Sequence, residues 1–464
     1  MRVISRGLLF RCGLFRSVGG EKEQRMSRKG VLFSFSAAVI LAWVAGTLLA
    51  QEKPERKLSE KLIAQIELSS RGPWAISGDC KHFACVVAKD NKKVVVIDGK
   101  EEQKRYEEIT DLQLSADGKR CAYAAKEENK WFLVVDGKEE KKRYDRVGFV
   151  VFSPDGTHLA YEASEGGKWF VVLDGAEQAR FDSTHGRPYF SPAGNRLAYE
   201  IRSDGKYFVV VDGKEKKRYP DYMGNFSEFP GPGLTFSPDG KHYACVAADG
   251  SGKSVLVVDG KEQEKDLFVD FQTIAFSPDG NRLAYAARRK DTKTFLVIDG
   301  KEEQKQYDFV GRPVFSPDGK RLAYPATEGK ESFVILDGKE GKRFASTFGG
   351  VCGLVFSPDS KRFAYTVVEG EQSYVVVDGA EGKRYDGVFT PVFSPDSKHV
   401  SYYACWEVGV WQDRCFVVVD GNEGKQYEAI LGGTVFDSED SIHYVARVRI
   451  ADTLYICLVE EILK

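Results

Sequence analysis

Apolar residues in this chain come in short runs broken by turn-forming clusters at close intervals, a pattern of strands and hairpins. In one stretch the apolar pair Val151-Phe152 runs into Ser153-Pro154-Asp155-Gly156. Pro presets φ and Gly accepts a positive φ, so a turn is expected there. A strand containing Leu159-Ala160-Tyr161 follows, then the polar break Glu165-Gly166-Gly167 and a strand from Trp169 to Leu173. Asp174-Gly175 is the strongest hairpin signal, because a type I′ turn needs φ > 0 at both central positions. A last strand carries Phe181 among charged residues, which reads as a water-facing outer edge. The unit thus predicts four antiparallel strands, a to d.

The same unit fills the chain. Its first motif places a Ser at Ser77, Ser115, Ser153, Ser191, Ser237, Ser277, Ser316, Ser357, Ser394 and Ser438, with spacings from 37 to 46 residues. A period of about 40 residues fits a four-stranded propeller blade. Six residues past the Ser the side chain is bulky in most copies; seven past it is Ala in eight copies; eight past it is Tyr in seven. Large and small side chains on opposite faces let such units stack, and a lone unit would leave one face in water. The expected fold class is therefore all-β: a propeller of about ten four-stranded blades.

The segment Phe276-Ser277-Pro278-Asp279-Gly280, and its copy at Phe315-Ser316-Pro317-Asp318-Gly319, resembles the TolB-like, WD-repeat-like propeller repeats. The resemblance spans roughly residues 74–450, with departures at Gly78, Ala116, Ala193 and Glu439. It implies a propeller, often extracytoplasmic, used in binding proteins or other ligands.

Nine units carry Asp-Gly after strand c; the tenth ends at Cys457-Leu458-Val459-Glu460 and has no such turn and no strand d. The missing strand is expected from the segment Leu62 to Leu68, which would close one ring. The alternative is two five-bladed rings with a boundary near residue 270. The domain reading is then residues 1–50 as a signal peptide or membrane anchor, 51–61 as a charged linker and 62–464 as propeller.

The N-terminal reading rests on Val31 to Ala50, an apolar run preceded by Arg28 and Lys29, with Met26 as an alternative start. The run is long enough to tether the chain to a membrane if uncleaved. Export to the periplasm or outside is expected either way. Residues 1–50 hold eight Lys or Arg and two Asp or Glu, so the remainder carries 59 basic and 67 acidic side chains, net −8. The signs are interspersed, which argues against a nucleic-acid partner.

Candidate chemistry is sparse. His82, His158, His242, His399 and His443 fall five past the Ser, where the other copies have Arg. Pairing with the Asp of the a–b turn is expected, rather than a metal site or catalysis. Gly252-Lys253-Ser254 has the look of a phosphate loop, but Ala247 stands where the first Gly is required. No catalytic residue, metal or cofactor is assigned. Cys405 and Cys415 flank one hairpin loop and could form a disulfide. The large length changes between copies fall on b–c and d–a connections, the face expected to bind protein, peptide or glycan. Its candidate residues are Tyr222, Phe226, Phe229, Trp406, Trp411 and Asp413. The alternative is a propeller enzyme, a glycan hydrolase or lyase, with an acidic central pocket.

Overall fold

The computed structural model describes residues 56–463, except 68–70, 221–233, 249–253, 264–266, 291, 346–349 and 407–413. The readings for residues 1–50 lie outside the described residues.

Ten antiparallel sheets follow one another along the chain, each with strands in the order a-b-c-d. The first runs Arg71–Ile76, Phe83–Lys89, Lys92–Ile97 and Lys100–Glu101. Strands c and d meet at the Asp-Gly turn, where Asp174 has φ +49° and Gly175 φ +79°, as the type I′ hairpin demands. The other eight Asp-Gly turns repeat this pair of positive φ values.

Packing between blades follows from strand b. Leu159 and Tyr161 pack against Ala122 and Ala124 of the preceding blade. Ala160, on the opposite face, receives Leu197 and Tyr199 of the next one. The strand-d aromatic completes each interface. Tyr144 meets Tyr161 and Phe170 of the next blade edge-on, with ring centroids 6.3 and 5.7 Å apart. Phe181, expected at a water-facing edge, is buried in the same way. It pairs with Trp169 at the start of strand c, so the outer strand turns its ring inward and only its charges outward. Burying such a side chain contributes about 1.5–3 kcal/mol, so these clusters dominate stability.

The ring is closed. Ten apolar clusters lie between consecutive blades, and one of them joins the tenth to the first through Ile63, Ile66, Phe83, Val96, Leu454 and Ile456. An open array of ten would have nine such interfaces. Blades five and six share a cluster too, containing Leu256, Tyr285 and Phe295, which removes the two-ring alternative. The tenth sheet is Ala429–Phe436, Ser441–Ile450 and Thr453–Ile462, completed by Lys57–Glu67 from the other end of the chain. The closing strand thus begins inside the segment read as a linker. Its register explains why: Glu60 occupies the place of the strand-d Glu of the other blades. Tyr144 and Lys142 reach Glu177 of the next blade, and Tyr427 and Lys425 reach Glu60 at 2.5 and 2.8 Å.

The basic slot of the repeat holds neighbouring blades in register, but through a different Asp from the one expected. Arg120 Nε donates to Asp136, the Asp of the c–d turn, at 3.3 Å. Its Nη1 donates to the Gly156 carbonyl of the next blade at 2.9 Å, and the guanidinium lies 5.1 Å over the Phe152 ring. Arg196, Arg282, Arg321 and Arg362 repeat this bridge. His158 pairs with Asp174 at 2.7 Å and stacks on Phe190 of the next blade. The Asp of the a–b turn is already engaged: Asp155 accepts from the Ser153 hydroxyl and from the Thr157 N–H. Gly118 is required at such a contact, since a Cβ there would lie 2.1 Å from the His82 ring of the preceding blade. At the ring junction His443 pairs with Asp437 at 2.7 Å and its Nε2 donates to the Asp79 carbonyl of blade one at 2.5 Å.

Two outcomes follow. A chain beginning at Gly72 lacks the closing strand, and its melting transition should fall sharply or vanish in circular dichroism; an unchanged melt would refute closure by residues 57–67. The a–b turns should also make the ring acid-sensitive. Hydrogen bonds from Ser115, Ser277 and Ser357 hold Asp117, Asp279 and Asp359 down to about 2. Unfolded Asp titrates near pH 4, so the stability these groups contribute is complete above that pH and is lost as pH falls toward about 2. Melts recorded across this window should decline steeply, whereas a flat profile would count against the turn network.

Candidate functional site

The turn face leaves little chemistry free. Its Ser, Asp, Arg and His side chains are spent within a turn or between two blades, as described above. The inner rim differs. Strand a is interrupted midway in most blades: its register with strand b shifts between Gly148 and Val151, between Thr110 and Gln113, and between His185 and Tyr189. Blades six, seven and nine break it into two pieces, as at Phe309–Val310 and Val314–Phe315. A bulge re-aims side chains and leaves positions without ladder partners.

At blades two to four these bulges gather acidic groups. Asp111 and Phe149 both adopt left-handed backbone, φ +52° and +50°, a conformation that costs non-glycine residues energy and persists only when surroundings enforce it. Here the Phe149 N–H donates to Asp111 Oδ1 at 2.9 Å, tying the bulge of blade three to that of blade two. Phe149 is left 42% exposed. Directly opposite Gly148, on strand b, stands Glu162. Its carboxyl is only 2% exposed, and Oε1 has no hydrogen-bond partner. Burial pushes its pKa up to about 8; a hydrogen bond with Thr184 opposes this and the charge of Asp111 adds to it. Glu200 occupies the same slot of blade four and is buried as well. In the broken inner strand of blade seven Arg312 is exposed, and desolvation by the surrounding protein lowers its pKa, opposed by the charge of Tyr189.

These residues were missed in the repeat, although a signal existed. Nine past the Ser, the repeat carries Val86, Ala124, Val246, Ala286, Pro325, Thr366, Tyr403 and Arg447, and only two neighbouring blades carry Glu. Among the described residues, no three His, Cys, Asp or Glu side chains are placed to hold a metal ion. Nor is any helix among them long and apolar enough to cross a membrane.

Of the loop residues singled out from the sequence, Tyr222, Phe226, Phe229, Trp411 and Asp413 lie outside the described residues. Trp406 does not sit at a loop tip. It ends strand b of blade nine, Val400–Trp406, with its ring 5.0 Å from that of Tyr385 and 5.4 Å from Lys383 Nζ. It caps the interface between blades eight and nine. Beside it, Cys405 and Cys415 stand opposite each other in the ladder and are joined by a disulfide.

No protein-family model matches the chain, and no curated protein matches it. Solved structures similar to it include one titled as a eukaryotic initiation factor, at 14% identity and TM-score 0.44, covering 71% of this chain and 90% of the other. TolB from Acinetobacter baumannii aligns at 19% identity and TM-score 0.25, covering 48% of this chain and 62% of TolB. The Dos1 propeller aligns at 12% identity and TM-score 0.32, covering 68% and 94%. This chain is a ten-bladed β-propeller. Its own ten sheets and the apolar interfaces between them establish the fold.

Because Trp406 packs on Tyr385, Trp406→Ala should destabilise the ring by about 1–3 kcal/mol, less than a fully buried aromatic. Urea denaturation would read this as a lower midpoint, and an unchanged midpoint would show the ring to be superfluous to packing.

Proposed function

We propose that the chain is an exported binding or scaffolding propeller that recognises a protein, peptide or glycan on its b–c and d–a face. One observation carries this reading: the two faces of the ring are built differently. On the a–b and c–d face the a–b turns of blades one to nine keep one length, that of blade ten being a residue shorter, and polar side chains bridge to a neighbour, as Arg321 does from Asp337 to the Lys361 carbonyl. That face is committed to holding blades together. The strands that flank the insertions at 221–233, between blades four and five, and at 407–413, inside blade nine, end on the opposite face. Residues there can vary without breaking a bridge, the condition under which repeat scaffolds acquire binding loops. The disulfide between Cys405 and Cys415 supports an oxidising compartment, and with it export.

The buried Glu162 carboxyl, whose pKa burial raises, is what favours the enzyme alternative. A carboxyl that is 2% exposed, however, is poorly placed to reach a glycosidic oxygen between two sugar rings. Binding is the better supported function.

The test is a pull-down with the protein lacking residues 1–50. Phe226→Ala with Trp411→Ala should abolish capture of the partner seen with the unaltered ring while leaving the melting curve unchanged. Asp136→Asn, on the turn face, should leave capture intact. The reverse result would move the binding face to the other side.

A further inference from the structure

We propose that the recess at the inner rim of blades two to four, formed by Asp111, Glu162 and Thr184 behind Gly148, receives the ammonium group of a lysine side chain carried by the protein's ligand. The proposal rests on the binding reading above and names the chemistry of one contact within it.

Three observations lead there. Glu162 is almost fully buried, yet one of its oxygens has no partner, a state that costs free energy until a donor supplies it. The space in front of it is open. Gly148 faces Glu162 across the ladder, and a Cβ at Gly148 would have only Asp111 Oδ2 within 4 Å, at 3.8 Å. Gly148 has no positive φ to explain its lack of a side chain, so what it contributes at this position is room. The third observation is position. Gly148 is the third residue of Arg146–Phe152, about 7 Å from the strand's d–a end at roughly 3.3 Å per residue. A side chain entering from the variable-loop face could reach it.

The donors and acceptors match an ammonium. Its three N–H groups would meet Glu162 Oε1, Asp111 Oδ2 and the hydroxyl oxygen of Thr184. Phe149, the residue after Gly148, is bonded to Asp111 through its N–H and leaves its side chain exposed, and an aromatic face attracts a cation. A metal ion fits less well, because no third acidic, His or Cys ligand joins the two carboxylates among the described residues. A guanidinium is planar and wider, with five donors in a fixed fork. It would leave donors unmatched in a recess that offers a few converging acceptors.

The experiment titrates the intact ring, residues 51–464, by calorimetry with acetyl-Gly-Lys-Gly-amide and with the same peptide acetylated on the lysine Nε. The unmodified peptide should bind saturably and the acetylated one should not. Glu162→Gln keeps the side chain's size and should weaken binding by about tenfold or more, as expected for loss of one buried charge pair. Gly148→Val closes the opening and should abolish binding; its melting curve shows whether the ring is intact, and Asp111→Asn is read alongside it. Equal binding of both peptides, or unchanged affinity in Glu162→Gln, would overturn the proposal. So would no binding of the unmodified peptide, which would leave water as the partner of the Glu162 oxygen. Peptide binding that persists in Phe226→Ala with Trp411→Ala, while partner capture moves to the turn face, would sink the face assignment and spare the recess.

Discussion

No blade of this protein is complete by itself, because each presents large side chains on one face and small ones on the other. Tyr161 and Leu159 need the alanines of blade two, and Ala160 needs the bulk of blade four. Removing a neighbour would expose a set of apolar groups worth about 1.5–3 kcal/mol each, so the array must either close or be capped. It closes. The tenth unit ends without its outer strand, and the strand supplied by Lys57–Glu67 carries Glu60 into the position where Tyr427 and Lys425 expect an acidic partner. Closure thus reproduces the ordinary interface with residues from opposite ends of the chain.

The polar bridges play a different part from the clusters. A partly exposed pair such as Arg120 with Asp136 is worth only about 0–1 kcal/mol, too little to assemble a ring. What it supplies is direction. The guanidinium is fixed at one end by the Asp of its own c–d turn and at the other by a carbonyl of the next a–b turn. It also covers the Phe that opens the next motif. Sliding or tilting a blade would break all three contacts together, so each copy sets the angle of the next. This commitment leaves the turn face poor in free functional groups and makes the opposite face, with the inner rim, the places where residues can depart from the repeat.

Much of this was legible in the sequence because it is local. The Asp-Gly hairpins, the large-small-Tyr pattern of strand b and the missing last strand each follow from a few adjacent residues and a fixed period. The partner of the basic slot was misjudged for a physical reason. One Asp stands three residues before it in most copies and another mostly 16 or 17 residues after it, and sequence spacing cannot tell which one lies across the ladder. Phe181 was misplaced because the charges around it are at the edge while its ring is not. Trp406 was taken for a loop residue, although strand b runs as far there as at Glu165 or Glu369 of other blades. The insertion begins one residue later.

The carboxyls of the inner rim show where a repeat sequence carries information that the repeat itself hides. A position that is apolar in most copies is set by packing, and a Glu there is destabilising unless something else requires it. Glu162 and Glu200 fall in that slot on adjacent blades, and the neighbouring inner strands adjust around them. Asp111 and Phe149 take up left-handed backbone, and Gly148 clears the space in front of Glu162. Asp111, Gly148, Phe149 and Glu162 meet on one side of the channel, and only blades three and four bury a carboxyl in this slot, which elsewhere holds Val86, Ala124, Val246, Ala286, Pro325, Thr366, Tyr403 and Arg447. The acidic departures fall on adjacent blades. Their concentration at blades two to four is best understood as one site whose cost the other interfaces of the ring are stable enough to bear.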